Sequence, residues 1–158
     1  MEKQLGWGSK FELDEGTLKA GHSVLFYAKT ELGKGRNFRP IGVCILTDGS
    51  VQLVDAGELL IHEKDGNVLY EATLQNMKQF LPTSTHVAVV MNAMAQKTSG
   101  QFVPVIKFLI QRNDGFFYSG LLEYNLRGFF KKKLELGTVD EMIMENNKLF
   151  DAWTINQQ

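Results

Sequence analysis

Cys44 is the single cysteine in 158 residues, so the chain has no intrachain disulfide and no cysteine-built zinc site. It sits beside ILTDG, which reads as the end of a buried strand, and an inert core thiol is expected there. Prolines number three (Pro40, Pro82, Pro104), and there is no low-complexity tract or internal repeat. No apolar window approaches the ~20 residues that a membrane span requires. The opening MEKQLGWGSKFELDEG has no apolar run, so a signal peptide is not expected. Histidines are scarce: His22, His62 and His86 lie in separate segments, without a second ligand at metal spacing. Net charge is also nearly absent, at −1, which excludes a globally basic nucleic-acid binder. Catalytic signatures are missing too: there is no G-x-S-x-G elbow, and LGKGRN lacks the GK[ST] ending of a phosphate loop. His62-Glu63 with Asp65 reads as a solvent-facing strand end rather than an acid–base pair. These absences point to a cytosolic, non-enzymatic domain that uses no cofactor and no metal, with any membrane contact peripheral.

What remains is a balanced chain, 44% hydrophobic and 22% charged, long enough to bury a core as one domain. HSVLFYAKTEL, rich in β-branched and aromatic residues, is read as a strand, and RPIGVCILT as a second, closed by Asp48-Gly49. SVQLVDAGELLIHE holds one bent strand or two short ones. Asp65-Gly66 then gives a hairpin signal ahead of VLYEATL, with Val68, Tyr70 and Ala72 on one face. STHVAVVMNAMAQ is ambiguous, because Val87, Val90, Met91 and Met94 also follow helical spacing. The paired run FVPVIKFLIQ behind QKTSGQ favours a strand. Asp114-Gly115 turns the chain into GFFYSGLLEYN. Near the C-terminus, Thr138 and Glu141 form a T-x-x-E capping box, with Asp140 and Glu141 suited to a helix N-terminus. Val139, Met142, Ile143, Leu149, Phe150 and Trp153 fall on one helical stripe, with Asn146 as its polar gap. The expectation is a mainly β fold of about seven short strands closed by a C-terminal helix.

In this order of strands, and above all in GVCILTDGSVQLVDAGELLIHEKDGNVLYEATLQNMKQF, the chain resembles the pleckstrin-homology-like superfamily, including the bacterial PH and GRAM-type domains. Trp153 resembles the tryptophan that eukaryotic PH helices place against the barrel. The resemblance implies a seven-stranded antiparallel sandwich or barrel over residues 20–158, capped by the C-terminal helix, with residues 1–19 as an N-terminal arm. It also implies a head-group site in the first hairpin loop, KTELGKGRNFRP, where Lys34 and Arg36 supply a K-x-R pattern and Lys29 a preceding lysine.

Lys29, Lys34, Arg36 and Arg39 are thus candidates for binding phosphate head groups, since Gly33 and Gly35 let backbone N–H groups turn toward an anion. The bland reading, a solvated hairpin turn, is preferred. A second basic patch, Arg127 with Lys131, Lys132 and Lys133 around Phe129 and Phe130, has a nucleic-acid or anionic-membrane reading and a core-strand reading. Trp7 and Phe11 in the arm either pack back onto the domain or anchor another protein, and Met144 is a third candidate contact. The expected role is binding another protein, with anionic phosphate as the alternative and weak nucleic-acid binding third. The oligomeric state is open.

Overall fold

A computed structural model describes residues 7–35, 37–127, 133–144, 149–150 and 153. It shows one six-stranded antiparallel sheet in the order β2-β1-β3-β4-β5-β6, with a long helix, α1, on one face and a shorter one, α2, on the other. The strands are β1 (Ile41–Leu46), β2 (Val51–Val54), β3 (Ser84–Gln96), β4 (Phe102–Arg112), β5 (Phe117–Arg127) and β6 (Lys133–Met144). The mainly β expectation holds at this coarse level. The sheet does not close on itself, however, and nothing in the architecture identifies the pleckstrin-homology-like superfamily.

Helix α1 spans Glu15–Gly33, where the sequence reading had a strand at HSVLFYAKTEL. Its buried positions, Thr17, Ala20, Gly21, Val24, Leu25, Ala28 and Leu32, step by three and four residues, which is the period of one helical face. The Asp14 side chain caps the start by accepting from the Thr17 N–H at 3.2 Å. At the other end Lys34 and Gly35 donate to Glu31 and Leu32, with Gly35 at φ +76°, a value that favours glycine. Lys29 and Lys34 therefore sit at the end of a helix, and the chain then runs through Arg39 into β1. The expected hairpin between two strands is corrected on this point. The boundary drawn at residue 19 also falls inside α1.

The second correction is at VLYEATL, which lies in α2 (Gly66–Met77). Asp65 does not open a hairpin but caps the helix, accepting from the Asn67 N–H at 2.9 Å. Leu69, Thr73 and Met77, four apart, are the buried row. The DG pair serves hairpins and helix starts equally, because Asp caps either and Gly adopts either backbone.

The third correction is the C-terminal helix: residues 133–144, with the supposed capping box, form β6, paired with β5 from Arg127↔Lys133 to Phe117↔Met144. Val139 and Ile143 share a face at a spacing of four in a strand as well as in a helix, so their pattern does not separate the two. Leu134 and Leu136 decide it: they continue the same face upstream, offset by an irregularity opposite Leu122/Tyr124. On the opposite face Met142 is exposed, while Met144 is partly buried.

The β3 reading as a strand is right, as are β4, β5 and the turns at Asp48-Gly49, 97–101 and Asp114-Gly115. One core fills the face under α1, from Val43 and Ile45 across Ala88, Val90, Phe108 and Ile110 to Tyr118 and Leu122. On the opposite face α2 covers β1, and Phe150 and Trp153 join Cys44, Met77 and Val87. The fully buried Gln111 amide holds Phe150 there, donating to its carbonyl at 3.1 Å and accepting from its N–H at 2.9 Å.

Candidate functional site

Arg39 illustrates how the proposed anion site is distributed. Its guanidinium donates to the carbonyls of Leu60, Ile61 and Glu63 at 2.7–3.1 Å, tying the segment after β2 to the approach to β1. Those donors are spent on the protein's own backbone. Lys34 is exposed at the helix C-terminus and Lys29 is partly buried on α1; Arg36 lies outside the described residues. In the second patch Arg127 and Lys133 pair across the ends of β5 and β6, while Lys131 and Lys132 lie outside the described residues. Beyond α1, Asn37 accepts from Asn92 of β3 at 2.6 Å, and Arg127 and Lys133 stand where β5 ends and β6 begins.

The partner-binding candidates all take part in packing, Trp7 fully and Phe11 and Met144 in part. Trp7 is 1% exposed, donates its indole N–H to the Tyr118 hydroxyl at 3.0 Å, and meets Phe108 edge-on. The Tyr118 hydroxyl in turn donates to Glu141 at 2.6 Å. Burial, reinforced by that acceptor, pushes the Tyr118 phenol well above its ordinary range. Phe11 packs against the same core, and Met144 against Val89, Leu109 and Phe117. Of the two readings of Trp7 and Phe11, packing back onto the domain is what the structure shows. Cys44 is fully buried, and burial pushes its thiol up to about 11, as an inert core residue should behave. Among the described residues no three His, Cys, Asp or Glu side chains converge as a metal would require.

One polar cluster joins the start of α1 to the sheet. Asp14 accepts from Thr17, meets His86 Nε2 at 2.6 Å and pairs with Arg112 at 2.9 Å, and His86 Nδ1 lies 2.9 Å from the Thr85 hydroxyl. Burial pulls the Asp14 carboxyl up, but the bonds from Thr17 and His86 outweigh it and hold the group at about 2. His86 is packed flat under Gly16, where a Cβ would meet the ring at 2.2 Å. The cluster is a latch rather than an open site.

The open feature lies on the other flank of α1. The segment Trp7–Leu13 packs along one side of the helix, toward β5 and β6. Along the other side α1 stops short of β2, leaving a groove of about 880 Å³ between Leu18, His22, Phe26 and Tyr27 on the helix and Val51 and Leu53 on β2. Phe26 is 64% exposed, Leu53 55% and Val51 41%. Val51 and Leu53 stand opposite the core residues Ile45 and Val43, so the apolar face of the sheet continues past the cover that α1 provides.

The backbone of β2 is also open. In the tight β1–β2 turn Leu46 donates to the Ser50 carbonyl and Gly49 to that of Leu46. By antiparallel alternation Cys44–Gln52 and Gly42–Val54 then exchange hydrogen bonds, and Val51 and Leu53 turn their N–H and C=O outward. The Leu53 carbonyl accepts instead from the Gln52 side chain at 3.0 Å, which stands in for an absent strand. The two edges of the sheet differ. On β6, Glu135 and Asp140 are exposed and the pairing carries an irregularity, both devices that discourage a further strand. On β2 the sequence VQLV has no charge, no proline and no bulge.

Sequence reasoning missed this site. Phe26 lay inside an apolar run read as strand, and the uncharged VQLV was the one available signal. Compared with family models, curated proteins and solved structures, the chain matches none of them.

Proposed function

We propose that the protein is a non-enzymatic protein-binding module whose contact surface is the α1–β2 groove with the bare edge of β2. The observation that carries this reading is the continuity of an apolar sheet face onto an edge strand that carries no charge and whose outer side pairs with no strand among the described residues. A chain laid there gains main-chain hydrogen bonds from β2 and apolar burial from Phe26, Val51 and Leu53, the two components of strand-addition recognition. Burial contributes roughly 25 cal/mol per Å² of apolar surface covered.

A photo-crosslinking residue in place of Phe26 tests the reading in living cells, with the same residue in place of Met142, exposed on β6, as the control. Protein adducts from position 26 and none from position 142 are expected. No adduct from position 26 would sink the proposal.

A second reading, attraction to an anionic phosphate surface, is supported by Lys34, exposed at the end of α1. Arg39 already gives three of its N–H donors to backbone carbonyls. Each cation near an anionic bilayer is worth about 1 kcal/mol, so the attachment is weak and salt-sensitive. Sedimentation with anionic vesicles at low salt is expected to be halved or more by Lys34→Ala, and absence of wild-type sedimentation rules it out.

A further inference from the structure

We infer that the strand taken up by this surface carries a cationic residue at each end of an alternating apolar core, in the pattern basic-x-apolar-x-apolar-x-basic. This rests on the protein-binding reading above and names the chemistry of its partner.

Charge at the two ends of β2 selects the ends of that strand. The uncharged Val51–Val54 lies between two exposed acids, Asp48 in the turn before it and Asp55 directly after it. Asp48 commits one carboxylate oxygen to Ser50, and Asp55 commits one to the Gly57 N–H. Helix α1 adds charge of the same sign. Glu15 lines the groove at the start of the helix, and Glu31 lies near Tyr27 farther along it. Burial, then Glu31 and Asp55, push the Tyr27 phenol above its ordinary range against the opposing pull of Arg39. The cations nearby are Lys19, whose ammonium reaches the Gly49 carbonyl, and Arg39, held among backbone carbonyls. Acids therefore outnumber cations around the groove.

The core of the pattern follows from the pleat. Residues of an added strand that stand opposite Val51 and Leu53 share their face and enter the groove. The groove, of about 880 Å³ beside Phe26 and Tyr27, has room for bulky apolar side chains at both positions. An aromatic ring at one of them pairs with the rings already there. The residue between them stands beside Gln52 on the opposite face. Two residues farther out in each direction, the strand comes level with Asp55 and with the Asp48-Gly49 turn. Lys or Arg at those two positions meets a carboxylate at each end. A strand with acidic ends is repelled, a second copy of β2 included, because its own Asp48 and Asp55 would stand there.

Fluorescence anisotropy of labelled peptides with the purified full chain tests the selection. The probes are Lys-Thr-Val-Thr-Phe-Thr-Lys, blocked at both termini, and counterparts with Glu at both ends or Ser at both apolar positions. The Lys-ended peptide is expected to bind at least tenfold more tightly than either counterpart, and more weakly as salt is raised. Asp48→Asn with Asp55→Asn keeps the oxygens bonded to Ser50 and Gly57 and is expected to weaken that peptide about fivefold. Asp48→Lys with Asp55→Lys, at an unchanged circular dichroism spectrum, is expected to reverse the order of the Lys-ended and Glu-ended peptides. Equal binding of those two by the wild type overturns the inference, and so does failure of all three peptides to bind. Either result alongside adducts from position 26 in cells keeps the protein-binding reading and discards the basic-ended strand. Absence of those adducts sinks both.

Discussion

Asp14 is the residue with the most demands on it, as cap of α1, partner of His86 and partner of Arg112. Removing it with Asp14→Ala is expected to cost about 2 kcal/mol by chemical denaturation, the upper range for a lost cap with a second bond broken. Its carboxyl is depressed in the folded state, so its contribution is present above the ordinary value of 3.8 and disappears as pH falls toward about 2. Asp14→Asn should therefore flatten the acid limb of the stability profile in that window. An unchanged limb would assign it to other carboxylates. Gly21 is a separate test: a Cβ there would meet the Trp7 ring at 2.4 Å. Gly21→Ala is expected to cost about 2 kcal/mol by overpacking and to shift tryptophan emission to the red as Trp7 is displaced.

At the scale of elements, Gln111 shows how a side chain replaces a strand. Its amide makes the pair of bonds to Phe150 that a neighbouring backbone would make, and the Trp153 indole adds a bond to the Leu81 carbonyl at 2.9 Å. Gln111→Leu leaves the Phe150 N–H and C=O unpaired, at about 2 kcal/mol, and should expose Trp153 to quenching by iodide. The same scale explains what could be read from the sequence. The strands from β3 to β5 were legible because long β-branched runs are interrupted by Gly-containing turns such as Asp114-Gly115. Helix α1 was not, because Val24-Leu25-Phe26 suits either period, and only the upstream positions Thr17 and Ala20 complete the helical row. In β6 a capping-box pattern at Thr138–Glu141 competed with alternation, and pairing with β5 prevailed. Asp65-Gly66 failed through the shared chemistry of turns and caps.

For the whole molecule, the site was legible only in fragments. Basic residues drew attention by composition, yet a guanidinium among carbonyls, as at Arg39, looks in sequence like one facing solvent. The α1–β2 groove depends on which face of the helix is left over once the core is filled, and that is a property of the assembled sheet. A charge placed on that face should change association without changing the fold. Leu53→Lys, at a half-exposed position, is expected to alter stability by less than about 0.5 kcal/mol while abolishing adducts from position 26.

Amide hydrogen exchange at β2 tests the contact surface most directly. In dilute purified protein Gln52 and Val54, bonded to β1, should be protected, and Val51 and Leu53 should exchange rapidly. In extract of the cells that make the chain, Val51 and Leu53 should become protected together. Rapid exchange at both residues under every condition would contradict the assignment of this edge as the protein's contact surface.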